Sequence, residues 1–111
     1  MNLRQENTSG VGVMILEGRL DANSADQFQN GVLGRVGKEG GAVLLDLSAL
    51  SYLSSAGIRS ILIIARELQA QKRGFAMCGA SGGVEEVLSV SGVDSIVTVH
   101  ETRDAGVQAL A

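Results

Sequence analysis

The chain has 111 residues, of which 45% are hydrophobic and 19% are charged, and its formal net charge is −3. That length suits one domain with a modest core, over residues 1–111, and the composition is typical of a folded globular protein rather than a disordered one. Because no basic run is available to replace the counterions of DNA or RNA, direct nucleic-acid binding is not expected.

The lack of a recognisable targeting signal and the single cysteine lead us to expect a cytoplasmic protein. No signal peptide opens the chain, and no apolar run approaches the ~20 residues of a membrane span. The single cysteine, Cys78, cannot form an internal disulfide, and the run Phe75-Ala76-Met77-Cys78 indicates a buried strand. We interpret Cys78 as a small core residue in a reducing compartment.

The N-terminal residues predict a β-hairpin. Residues 2–7 and 11–17 have strand patterns and are joined by the turn cluster Asn7-Thr8-Ser9-Gly10. The second of these strands is apolar on both faces, which suits a central position in a sheet. Gly18-Arg19-Leu20-Asp21 ends the strand, and the carboxylate of Asp21 is an acceptor for loop or helix N–H groups.

A helix over residues 24–36 follows the hairpin. Ser24 and Gln27 have the spacing of a capping box at its start. Phe28, Val32 and Val36 are the residues that this helix is expected to bury. Gly31 and Gly34 lower its intrinsic stability, so we expect a helix that is shorter or looser than its pattern suggests.

The central segment changes from a strand pattern to a helix pattern at Ser54-Ser55-Ala56-Gly57. A continuous apolar run over 42–45 precedes a short connection, after which apolar residues recur at helical spacing. These residues are Ile58, Ile61, Leu62, Ala65 and Leu68. Serine is a favoured N-cap, and one serine is enough for that task. The second hydroxyl, Ser55, lies at a small and uncrowded terminus that another protein's active site can approach.

The opposite side of this helix is expected to face outward. Arg59, Ser60, Ile63 and Glu67 lie off the apolar stripe. At 100° per residue, Ile63 lies beside the arginines of this helix and on the same side as Ser55. One outward surface therefore combines a hydroxyl, cations and an exposed β-branched side chain.

The C-terminal third predicts two further strand and helix pairs. Strands are expected over 74–78 and 96–99, and helices over 84–91 and 102–110. The turn Gly79-Ala80-Ser81-Gly82-Gly83 is rich in glycine, but it lacks the spacing of a dinucleotide or P-loop motif. No cofactor and no metal site are therefore predicted.

The alternation of strands and helices predicts an α/β fold. Units of this kind form parallel strands with right-handed crossovers, whereas the first two strands pair as a hairpin. We expect a mixed, mostly parallel sheet of about four to five strands with about four helices, in the order β-β-α-β-α-β-α-β-α. Asp21 and Ser55 both follow strands at the same sheet edge, which is the usual functional edge of such folds.

Three segments of this chain resemble a known family. They are residues 46–58 (Asp-Leu-Ser-Ala-Leu-Ser-Tyr-Leu-Ser-Ser-Ala-Gly-Ile), Gly18-Arg19-Leu20-Asp21, and Leu88-Ser89-Val90-Ser91-Gly92-Val93. Together they resemble the STAS domains, and especially the bacterial anti-sigma factor antagonists. The likeness covers nearly the whole chain, with the elements in the same order, and it implies a single STAS-like domain.

The resemblance implies a partner switch. In that family the unmodified antagonist binds an anti-sigma factor that is also a serine kinase, and the kinase phosphorylates it. By position the acceptor resembles Ser55, and a PP2C-type phosphatase is the implied antagonist of the kinase. The family often has Asp before the acceptor and Ser or Thr after it. The implied partner-binding residues are Asp21, Ser54, Ala56, Gly57, Arg59, Ile63 and Glu67.

Two other functions remain open on the sequence. A hydrolase with Ser55 as nucleophile needs a base, and His100, the one histidine, follows a different strand. A STAS-like scaffold subunit of a transport or signalling assembly would use the same helix face as a constitutive contact. No enzymatic activity is expected, because no clustered carboxylates or histidines support phosphoryl transfer. The protein is expected to be a monomer or a weak dimer.

Overall fold

The computed structural model describes residues 1–37 and 40–111, and its elements follow the predicted order with one strand added. In this part of the chain there are six strands and four α-helices. They are β1 (Asn2–Thr8), β2 (Val11–Leu20), α1 (Ala25–Val36), β3 (Val43–Asp46), β4 (Leu50–Leu53), α2 (Ser55–Ala70), β5 (Phe75–Cys78), α3 (Gly82–Ser91), β6 (Val99–His100) and α4 (Arg103–Leu110).

The sheet is mixed and mostly parallel, as predicted. Its strands run in the order β1-β2-β3-β5-β6, and β4 also pairs with β2. Only the pair of β1 and β2 is antiparallel among the described strands. The long strand β2 pairs with β3 over Gly12–Ile15 and with β4 over Gly18–Leu20, and the register of the second pairing shifts between Gly18 and Arg19. The carboxyl ends of β2 and β4 consequently lie side by side.

The strand β4 is the element that the sequence pattern did not predict. Its inward residues are Leu50 and Leu53, whereas Ser51 and Tyr52 between them are exposed. That spacing has neither the period of two that marks a half-buried strand nor a continuous apolar run. The segment therefore has the pattern of a connection, although it pairs with the end of β2.

The last strand is also shorter than predicted. A strand was expected over 96–99, but β6 contains only Val99 and His100. A 3₁₀ turn at Val93–Ser95 precedes it, and Ile96 is 68% exposed. The apolar residue at 96 thus belongs to the connection rather than to the sheet.

Helices cover the two faces of the sheet unequally. The larger core joins one face of the strands to α1, α2 and α3, and it includes Phe28, Leu45, Ile61 and Leu88. On the opposite face, Leu44 packs with Val107 of α4. Since successive strand residues point to opposite faces, Leu44 and Leu45 enter different cores.

The capping box predicted for Ser24 and Gln27 is wrong. Ser24 makes no side-chain cap to α1. Its Oγ instead donates to the carbonyl of Arg19 at 3.0 Å and accepts from the N–H of Asp21 at 3.0 Å. The hydroxyl therefore fixes the loop between β2 and α1, which contains Asp21.

Candidate functional site

The candidate site lies where β2 and β4 end and α2 begins. The N–H of Ser54 donates to the carbonyl of Leu20 at 2.9 Å, which joins the two loops directly. Asp21 follows Leu20, and Ser55 follows Ser54, so the structure brings the two predicted loops together. The prediction that Asp21 and Ser55 lie at one sheet edge is correct because the carboxyl ends of neighbouring parallel strands lie at the same edge.

The two serines at this junction have different roles. Ser54 has an extended backbone, and its Oγ accepts the N–H of Gly57 at 3.2 Å, which makes it the N-cap of α2. Ser55 is the first helical residue and is exposed. Its hydroxyl has no hydrogen-bond partner within residues 1–37 and 40–111. One serine therefore starts the helix, and the other presents a free hydroxyl.

Gly57 is buried beneath this turn, and it allows close packing. A Cβ atom at this position would lie 2.8 Å from Cγ of Leu20 and 2.8 Å from Cδ1 of Leu53. The start of α2 thus rests directly on the ends of β2 and β4. Ala56, the residue before it, is half-buried. Both are predicted partner contacts, and in this structure Gly57 lies below the surface that a partner would meet.

The loop that contains Asp21 forms the rim of the site. One carboxylate oxygen of Asp21 accepts the N–H of Asn23 at 3.0 Å, and the other lies 3.9 Å from Nε of Arg19. The guanidinium of Arg19 stacks over the ring of Tyr52, 4.2 Å from its centroid. Sequence reasoning missed this stack, since nothing in either segment indicates which strands become neighbours.

The outward face of α2 is confirmed in part. Arg59 and Glu67 are exposed, and Ile63 is 37% exposed, as predicted. The outward placement of Ser60 is wrong, because this residue is buried and its Oγ donates to the carbonyl of Ala25 at 3.2 Å. Helix α1 packs over that side of α2, so the free face is narrower than the sequence suggested.

An apolar groove opens beside Ser55. It has a volume of about 520 Å³ and lies between β4, the start of α2, and α3. Its lining is Ser51, Tyr52, Leu53, Ser55, Ile58, Gly83, Glu86, Val87, Val90 and Ser91. Tyr52 is 42% exposed and Val90 is 83% exposed, so the rim is apolar as well. The contribution of α3 to this site was not predicted, because α3 follows the Ser55 segment only after another strand.

His100 does not share the groove with Ser55. It lies at the end of β6 and lines a separate cavity of about 430 Å³ with Gly79, Glu101 and Thr102. The structure therefore gives no support to His100 as a base for a nucleophilic Ser55. In the described ranges no group of three or more metal-binding side chains occurs.

Cys78 packs with Leu44 and Val107 in the smaller core, on the sheet face that α4 covers, and it is fully buried, as expected. Burial raises the pKa of its thiol from 9.0 to about 12, the carboxylate of Asp46 adds to this increase, and Arg103 opposes it. The thiol is consequently protonated at neutral pH and is not a nucleophile. Among residues 1–37 and 40–111, no helix has both the length and the hydropathy that crossing a bilayer requires.

Comparisons with known proteins agree with this geometry. The STAS domain model matches residues 2–106. BtrV of Bordetella bronchiseptica, which is named as an anti-sigma factor antagonist, is 32% identical over 109 residues, covering 98% of this chain and 94% of BtrV. An anti-sigma factor antagonist from Mycobacterium paratuberculosis has a similar structure, with a TM-score of 0.90, 22% identity and coverage of 98% of this chain and 92% of that chain.

A further solved structure, the phosphorylated form of the Bacillus cell fate determinant SpoIIAA, aligns with a TM-score of 0.73 and 20% identity. The alignment covers 99% of this chain and 100% of that chain. At this identity the two solved structures support the fold, whereas the family model and BtrV carry the assignment. The chain belongs to the STAS domain family and is of the anti-sigma factor antagonist type.

Proposed function

We propose that this chain is a partner switch controlled by phosphorylation of Ser55. The unmodified form binds a kinase-type anti-sigma factor and thereby releases the sigma factor or other client of that protein. The kinase then phosphorylates Ser55, the complex dissociates, and a PP2C-type phosphatase restores the unmodified form. The observation that carries the proposal is the exposed Ser55 hydroxyl, which is free because Ser54 alone caps α2.

The surroundings of Ser55 support a contact that tolerates a hydroxyl and rejects a phosphate. A phosphate adds about −1.5 to −2 charges. The groove beside Ser55 is mostly apolar, and a partner that covers it would have to desolvate those charges. The start of α2 itself accepts negative charge, because the helix dipole stabilises it by about 0.3 to 1 kcal/mol. The fold is therefore retained when the partner is lost.

The proposed contact surface has three parts. Asp21 forms the rim on the β2 side, Ser55 lies at the centre, and Arg59, Ile63 and Glu67 continue along the exposed face of α2. In this scheme the chain supplies the acceptor hydroxyl and the docking surface. The partner supplies the nucleotide, the metal ion and the base that phosphoryl transfer requires.

The experiment that tests the proposal combines the purified chain with each kinase-type anti-sigma factor of the same organism, ATP and Mg²⁺. Intact mass should increase by ~80 Da, and peptide mapping should locate the phosphate at Ser55. Ser55→Ala should remove the phosphate, whereas Ser54→Ala should retain it. Transfer to another serine in the wild-type chain would contradict the assignment of Ser55.

Binding measurements on the same proteins test the switch itself. By calorimetry, Ser55→Ala should bind the kinase as the wild-type chain does, and Ser55→Asp should bind at least tenfold more weakly, a loss of about 1.4 kcal/mol. A phosphorylated chain that kept its full affinity would contradict the switch, and it would favour a constitutive scaffold contact on the same surface.

A further inference from the structure

Glu86 is the one charged residue in the lining of the groove that contains Ser55. It lies on α3, is exposed, and forms no ion pair or hydrogen bond with any residue in the described part of the chain. The carboxylate of Asp21, by contrast, lies 3.9 Å from Nε of Arg19. An uncompensated negative charge and an acceptor hydroxyl therefore share one groove.

The surface around Glu86 is complementary to a particular kind of side chain. Val90 lies one helical turn beyond Glu86 on the same face of α3, and Tyr52 and Val87 complete an apolar wall. Lysine and arginine have long apolar stems that lie along such surfaces while their charged ends remain in water. A carboxylate at the groove, next to apolar rim residues, matches both parts of such a side chain.

We propose that Glu86 is a specificity-determining residue of the Ser55 site, and that it binds a lysine or arginine side chain of the kinase-type anti-sigma factor. This inference rests on the proposed function. The stem of the basic side chain lies in the groove against Tyr52 and Val90, and its charge pairs with the Glu86 carboxylate. The contact places the kinase with its active site over Ser55.

The same contact contributes to release after phosphorylation. One basic side chain balances the single charge of Glu86. A phosphate of about −1.5 to −2 charges on Ser55 would then leave an excess of negative charge in the covered groove. Because unpaired charges in a desolvated interface are costly, the complex opens.

Glu85 provides a matched control within the chain. It is the neighbour of Glu86 in sequence, has the same charge and is also exposed. It does not line the Ser55 groove, and instead lines cavities on the other side of α3, one of them with His100. Glu85→Gln therefore makes the same change in net charge and in helix composition without altering the groove.

The experiment measures the kinetics of Ser55 phosphorylation by the purified kinase-type anti-sigma factor with ATP and Mg²⁺. Glu86→Gln should lower kcat/KM by about tenfold, mainly through KM, whereas Glu85→Gln should stay within about twofold of the wild-type chain. The loss should shrink in high salt, since screening weakens a partly exposed ion pair.

Urea denaturation of each variant serves as the folding control, and the Glu86→Gln midpoint should match that of the wild-type chain. If the wild-type chain is phosphorylated at Ser55 and Glu86→Gln is phosphorylated equally well, the role of Glu86 is overturned and the proposed function stands. If no phosphate reaches Ser55 in the wild-type chain, the proposed function fails, and the role of Glu86 fails with it.

Discussion

The first turn of α2 divides two tasks between adjacent serines. An N-cap residue has a non-helical backbone, so that its side chain can reach back to the free N–H groups of the first turn. Ser54 meets this condition with φ −99° and ψ 170°, and Ser55 does not, because it is already helical. The geometry that begins the helix therefore leaves the next hydroxyl exposed. A modification at Ser55 does not have to break the cap.

The N-cap predicts that Ser54 and Ser55 contribute differently to the stability of the protein. Ser54→Ala should lower the free energy of unfolding by about 1 kcal/mol, since the N–H of Gly57 loses its acceptor. Ser55→Ala should change it by less than about 0.5 kcal/mol, because that hydroxyl is free and exposed. Urea denaturation followed by circular dichroism measures both values. Equal losses in the two variants would contradict the assignment of the cap.

At position 57 the backbone approaches its neighbours so closely that only glycine, which has no Cβ atom, fits without a shift. Gly57→Ala should destabilise the protein by about 1 to 3 kcal/mol, since the new methyl group would overlap Leu20 and Leu53 at 2.8 Å. The control is Gly34→Ala in α1, where no atom lies within 4 Å of the added Cβ. That change should stabilise the protein by up to about 1 kcal/mol. Thermal unfolding of the two variants should therefore shift in opposite directions.

At the scale of single residues, the sequence predicted local relations better than distant ones. It indicated that one serine of the pair would cap the helix, because capping depends on neighbours in the chain. It gave no sign that Arg19 would stack on Tyr52, or that Glu86 would line the groove with Ser55. Those contacts depend on which strands and helices become neighbours in space.

At the scale of elements, helix α2 shows how a periodic pattern succeeds and where it fails. The pattern placed five residues inside, and three of them, Ile58, Ile61 and Leu68, are buried. The other two, Leu62 and Ala65, are half-buried. It placed Ser60 outside, because a hydroxyl is polar, although Ser60 satisfies its hydrogen bond at the carbonyl of Ala25 on α1. A buried polar group with a partner costs little, and a pattern of hydrophobicity does not detect it.

Arg73 connects three elements at the edge of the sheet opposite the candidate site. It follows α2, and its guanidinium donates to the carbonyls of Val36, Gly37 and Gly41 at 3.0 to 3.2 Å. These carbonyls lie at the end of α1 and just before β3. A side chain with several donors in a planar fork suits this arrangement, whereas lysine offers a single charged end.

Because Arg73 makes these hydrogen bonds, its replacement should lower the free energy of unfolding more than an ordinary surface substitution does. Arg73→Ala should lower the free energy of unfolding by about 1 to 2 kcal/mol, and Arg73→Lys should fall between this variant and the wild-type chain. Lys72→Ala removes the same charge at the adjacent exposed position, and it should change stability by less than about 0.5 kcal/mol. Urea denaturation at two salt concentrations would separate the hydrogen bonds from net charge. Equal losses at both positions would show that charge alone matters.

At the scale of the whole molecule, the core and the candidate site overlap only in part. Leu53 and Ile58 belong to the larger core and also line the groove, whereas Ser55 and the outward face of α2 are exposed. The order of elements and the mostly parallel sheet followed from the sequence, because strand and helix periods alternate clearly along the chain. The strand count did not, because β4 is recognisable only from its pairing with β2.

The fully buried thiol of Cys78 makes the stability of the folded chain depend on pH. Burial, with a further contribution from Asp46, raises its pKa in the folded chain to about 12, against 9.0 for an exposed thiol. The unfolded chain therefore loses this proton first as the pH rises. Since the folded state then binds more protons than the unfolded state, unfolding becomes easier above pH 9. The contribution is fully present below the unfolded pKa, and it is lost as the pH rises toward the folded pKa.

We therefore expect the stability difference between the wild-type chain and Cys78→Ala to fall by about 1 kcal/mol between pH 8 and pH 10. The comparison with Cys78→Ala removes the titration of all other groups, and the cavity left by the substitution adds an offset that does not depend on pH. Urea denaturation at several pH values in this range measures the difference. A difference that stayed constant up to pH 10 would show that the thiolate forms as easily in the folded chain as in the unfolded one, and that the smaller core admits charge.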